Sequence, residues 1–154
     1  MSLSSRVNEK ASLIWAIADK LTGVYKPHEY GEVILPLTVL RRFDCILADT
    51  KSAVLDTYNK LKDQKLDLLD GLLYEVAGHK FYNISKYTFK TLLDDPDNIE
   101  SNFRDYINGF SDNVQDIIRK FKFDNHITTM ADKHILYMVI KEFTTDKANL
   151  HPDH

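Results

Sequence analysis

The stretch from Leu13 to Leu47 constrains this chain most, because it holds two apolar segments at helical spacing on either side of a turn. In the first, Leu13, Ile14, Ile17 and Leu21 recur at i, i+1, i+4 and i+8, which lines one helix face. Gly23 can then take the left-handed conformation that ends a helix. Pro27 suits the first position of the next helix, where its missing N–H would be unpaired anyway. In the second segment Val33, Leu37, Leu40 and Leu47 share a face, with Pro36, Val39 and Phe43 beside it. So wide an apolar arc predicts a helix contacted from several sides, at the centre of a bundle.

The remaining chain repeats that period. Thr50 to Gln64 carries a thin stripe of Val54, Tyr58 and Leu61, and Leu66 to Ala77 places Leu69, Leu72, Leu73 and Val76 together before Gly78. His79 to Asn83 reads as a short aromatic connector, and helical spacing returns from Ser85 to Leu93 through Tyr87, Phe89, Leu92 and Leu93. Asp95, Pro96 and Asp97 predict a helix start, with Asp95 as the N-cap. Ile99, Phe103, Tyr106, Ile107 and Phe110 continue it until Gly109 marks the stop. Asp112 and Gln115 suggest a capping box ahead of Val114, Ile117, Ile118 and Phe121. A last helix is expected from about Met130 to Phe143. Without period-2 runs or internal repeats, the expectation is all-α: a multi-helix bundle with short connectors.

At 154 residues the chain suits a single domain spanning 1–154, with enough length for a real core. A net charge of −3 argues against a simple polycationic DNA binder, so any nucleic-acid contact must come from a local patch or from partners. Lone Cys45 excludes an internal disulfide, and its place beside Phe43 and Ile46 predicts a buried, inert thiol. No apolar run approaches the ~20 residues of a membrane span, and the polar start gives no secretory signal, so the cytoplasm is the expected location.

Several stretches together resemble a known family. Trp15-Ala16-Ile17-Ala18-Asp19-Lys20-Leu21, then Tyr30-Gly31-Glu32-Val33-Ile34-Leu35-Pro36-Leu37, then Leu40-Arg41-Arg42-Phe43-Asp44 closely resemble the start of the modification subunit of type I restriction–modification systems. The resemblance continues through Phe81-Tyr82-Asn83-Ile84-Ser85-Lys86-Tyr87-Thr88-Phe89, through Asn98 to Ser111, and to Asn149-Leu150-His151-Pro152-Asp153. It implies the N-terminal helical domain of an S-adenosylmethionine-dependent adenine-N6 DNA methyltransferase subunit, ending before the catalytic domain. It also implies partners: a specificity subunit that reads the target, a restriction subunit, a second modification subunit and double-stranded DNA.

Chemistry of that kind needs a glycine-rich turn after a strand and an (Asn/Asp)-Pro-Pro-(Phe/Tyr) loop to hold the extruded adenine. The five glycines never come closer than seven residues and the four prolines are never adjacent. No catalytic or cofactor-binding residue is therefore expected in this chain, and S-adenosylmethionine belongs to the longer parent. His126 and His134 lack the spacing of a zinc site, and helix capping explains Asp94, Asp95 and Asp97, so no metal ligands are expected.

The basic residues are the remaining candidates. Lys86 and Lys90 are i, i+4 and would share a helix face; Arg104 belongs to the next helix; Arg119, Lys120 and Lys122 form the densest group. Singly, each reads as a solvated charge; jointly, they could contact DNA phosphates, which position a protein without reading sequence. Two functions follow: a DNA- and subunit-contacting domain of a type I modification subunit, or a free-standing helical adaptor for a protein partner. A glycine-rich βαβ segment encoded beyond His154 would decide for the first.

Overall fold

The helices form where the apolar period is longest and break where the backbone takes a conformation that helices exclude. The computed structural model describes residues 3–145, so the resemblance at Asn149–Asp153 and the histidines at 151 and 154 lie outside the described residues. Helix α1 spans Leu3–Leu21 and buries Leu13, Ile17 and Leu21. Ile14 departs from the expected face: it is 51% exposed, and Trp15 beside it 77%. The apolar arc of α1 is wider than its neighbours cover.

Gly23 turns the chain at φ +88°, and Pro27 opens a 3-10 turn, Pro27–Glu29, that leads into α2, Tyr30–Leu47. Val33, Pro36, Leu37, Leu40 and Leu47 are all buried on α2, which packs against α1 on one side. On another side lies α8 (Phe123–Asp132). The wide arc expected of this helix is therefore filled. Cys45 is only half-buried, because it borders a cleft at the end of α2 instead of the core.

Helices α3, Lys51–Leu61, and α4, Leu66–Ala77, pack together as a pair. Val54 joins Leu69 and Leu73 in the shared core, and the Thr50 hydroxyl donates to the Ala77 carbonyl at 2.9 Å. Gly78 ends α4 at φ +74°. The next helix is much shorter than its spacing suggested: α5 is only Phe89–Leu92, not Ser85–Leu93. Thr88 and Thr91 explain the late start, since the side chain of each accepts a hydrogen bond from the other's backbone N–H.

Pro96–Asn98 forms a 3-10 turn before α6, Ile99–Asn108. Asp95 does not cap it through a free N–H; its carboxylate accepts from the Asn98 and Asn102 side-chain amides, each at 3.1 Å. Helix α7 covers Asp112–Lys120 without the expected capping box. Gln115 instead donates to the Ile107 and Phe110 carbonyls, joining α7 to the end of α6. Of the segment expected as one helix from Met130 to Phe143, Met130–Asp132 end α8, whose start at Phe123 was not expected, and Leu136–Glu142 form α9. His134 sits between them at φ +59°, a left-handed residue that no helix accommodates. Phe89, Phe103, Tyr106, Phe123 and Phe143, from α5, α6, α8 and the end of α9, meet largely edge-on at the centre.

Candidate nucleic-acid interface

Three of the stretches that carry the family resemblance, around Asp44, Asn83 and Tyr106, converge in space although they lie far apart in sequence. Tyr82 and Ile84 pair with the end of α6: Ile84 N–H donates to the Gly109 carbonyl at 2.8 Å, and Ser111 N–H to the Tyr82 carbonyl at 3.0 Å. Asn83 is buried and spends its amide there, donating to the Tyr106 carbonyl at 2.9 Å and accepting from Ser85 N–H and the Lys51 ammonium, both at 2.7 Å. Across the same core, Asp44 accepts from Arg41 at 2.8 Å and from the Tyr106 hydroxyl at 3.0 Å.

Burial raises the Asp44 carboxyl above the usual carboxylate range, with Arg41 opposing it. Tyr106 is raised well above a usual phenol by burial and by Asp44. Lys51 is pulled down to about 8 by burial, which Asp44 and Asp105 only partly offset. This network ties α2, α3, the connector and α6 together. Its polar atoms bond chiefly to one another, so the network holds the fold together. No sequence pattern marks Lys51; only its distant partners reveal it.

The six basic candidates divide by their partners. Arg104 is held by Glu100 at 3.1 Å, by Asp124 and by the Thr128 hydroxyl at 2.8 Å, so its charge is already matched. Arg119 pairs with Asp116 at 2.6 Å. Lys86 lies 5.2 Å from the Tyr87 ring centroid, and because α5 begins only at Phe89, Lys86 and Lys90 do not share a helix face. Lys90 borders the cleft with Arg41, Asp44 and Cys45. Lys120 and Lys122 have no ion-pair partner among the described residues.

Arg104, Arg119 and Lys122 line one cleft of about 340 Å³ between α6, α7 and α8, floored by Ile107, Ile118 and Ile127. Lys120 and Lys122 line another, on the side of α2. Four of the six candidates thus gather around the α7–α8 junction, and Lys86 and Lys90 stand apart from them. Lys122 is common to both clefts and holds φ +52°, an unusual conformation for a lysine.

A family model described as the HsdM N-terminal domain matches residues 10–143. The chain belongs to that family. It is thereby the N-terminal domain of the modification subunit of a type I restriction–modification methyltransferase. No curated protein and no solved structure matches it. The match covers the HsdM domain from the middle of α1 to the end of α9, including every described stretch on which the resemblance rests. No helix among the described residues is long and apolar enough to cross a membrane.

Proposed function

We propose that this HsdM N-terminal domain contacts duplex DNA through its α7–α8 junction while the type I complex closes around its target. The observation that carries the reading is Lys120 and Lys122, without ion-pair partners among the described residues, beside Arg119 on a chain whose net charge is −3. Phosphate contacts from such a group add affinity without sequence preference, which suits a domain whose complex reads its target through a specificity subunit. A few cations give little affinity alone; within a multi-subunit clamp they act at high effective concentration. Methyl transfer from S-adenosylmethionine to adenine N6 belongs, on this reading, to the parent subunit's catalytic region, in the cytoplasm. The restriction subunit and a second modification subunit complete the assembly. DNA titration of the assembled enzyme carrying Lys120→Ala and Lys122→Ala tests the reading: weaker binding to all sequences with target preference unchanged supports it.

A further inference from the structure

On the α2 side of the same junction, a groove of about 640 Å³ runs between the first turns of α2 and the α7–α8 turn. Its apolar lining is Leu35, 58% exposed, and Phe121. Beside them lies Gly31, within α2, where an added β-carbon would meet nothing within 4 Å and no positive φ is needed. Neither the backbone nor the packing of this chain asks for glycine there, although glycine weakens a helix. What it does provide is a stretch of bare helix backbone that another chain can approach closely.

The formal charge lining the groove is net positive, two lysines against one carboxylate. Lys120 and Lys122 line it without ion-pair partners among the described residues, and the one carboxylate in its lining, Glu32, lies 3.6 Å from His126 Nε2. An occupant must therefore bring negative charge for the lysines and apolar surface for Leu35 and Phe121. DNA phosphates would satisfy the lysines but leave Leu35 and the uncovered edge of half-buried Phe121 facing water. A helix with acidic residues along one edge and aliphatic ones along its face satisfies both. We infer that this groove docks an acidic amphipathic helix from another subunit of the type I complex. The inference rests on the family's multi-subunit setting; it uses the same Lys120 and Lys122 as the DNA-contact reading, so a helix seated here replaces that contact, and the test below separates the two.

The test places p-benzoylphenylalanine at Leu35 in the complex assembled from purified subunits, with the cross-linked segment identified by mass spectrometry. The expected cross-link falls on an acidic helical segment of another subunit. Its yield should drop about tenfold with Lys120→Glu plus Lys122→Glu, as reversal of the rim charge predicts. Gly31→Gln should also lower the yield by filling the groove, and the thermal midpoint of the free domain should not fall. Cross-links to DNA, to a neutral or basic segment, or none at all in a complex that still assembles would overturn the inference. Cross-links confined to DNA would do so while leaving the DNA reading intact.

Discussion

Gly109 lies so close to Ser85 that a β-carbon on it would sit 2.6 Å from the Ser85 amide nitrogen and 2.8 Å from the Ser85 β-carbon. The glycine's φ is −78°, so contact and not backbone freedom demands it. This near-touching of the connector and the end of α6 is what lets Ile84 and Ser111 make main-chain hydrogen bonds across the gap.

Gly109→Ala should therefore destabilise the domain by about 1–3 kcal/mol or more, the usual range for overpacking. Gly71→Ala is the matched control, since its added β-carbon meets nothing within 4 Å. It should stabilise α4 by roughly 0.5–1 kcal/mol. Urea unfolding of both variants checks the pair, and equal effects would contradict the close approach.

Asp44→Ala removes one acceptor of Arg41 and the acceptor of the Tyr106 hydroxyl, while Arg41 stays buried against Phe89. With the paired side chains only 8% and 9% exposed, the expected cost is at most about 3–5 kcal/mol, the scale for breaking a buried pair from one side. Asp44→Asn keeps an acceptor for the Tyr106 hydroxyl and should cost less. Denaturant midpoints that rank the two the other way would show that Tyr106 does not depend on this hydrogen bond.

Much of the architecture was legible in the residues because apolar period and terminating glycines agree, as in α4, whose bounds Leu66–Ala77 match the spacing and whose Gly78 is left-handed. The break between α8 and α9 was not, because a histidine adopts the positive φ where glycine or asparagine would have signalled it. Ser85–Thr88 kept helical spacing, but their backbone follows side-chain bonds from Asn83, Ser85 and Thr91 instead. That local competition separates Lys86 from Lys90 in the candidate site. The cluster at the α7–α8 junction was half visible: Arg119, Lys120 and Lys122 are close in sequence, but Arg104 joins them only through the packing of α6 on α8.

Lys51 makes stability depend on pH in the alkaline range. Its folded value is about 8 against an ordinary 10.5, so between those values the unfolded chain holds a proton that the folded chain has released. Stability should rise with pH through that window, with a slope of at most about 1.4 kcal/mol per pH unit from this group. Below pH 8 both states are protonated and the burial penalty is fully present. Thermal midpoints of the native chain and Lys51→Met, compared from pH 7 to 10, isolate the contribution. The native chain should gain on the variant as pH rises; a constant difference would contradict a buried, depressed amine.

The most direct measurement of the DNA-contact role is the salt dependence of duplex binding by the assembled enzyme. Removing one phosphate-neutralising cation should flatten the slope of log K against log salt by about 0.9. Lys120→Ala with Lys122→Ala should therefore flatten it by up to about 2 and weaken target and non-target duplexes alike. Lys86→Ala with Lys90→Ala, away from the junction, should change it less. An unaltered slope and affinity in a Lys120→Ala, Lys122→Ala enzyme that still assembles would contradict the DNA-contact role.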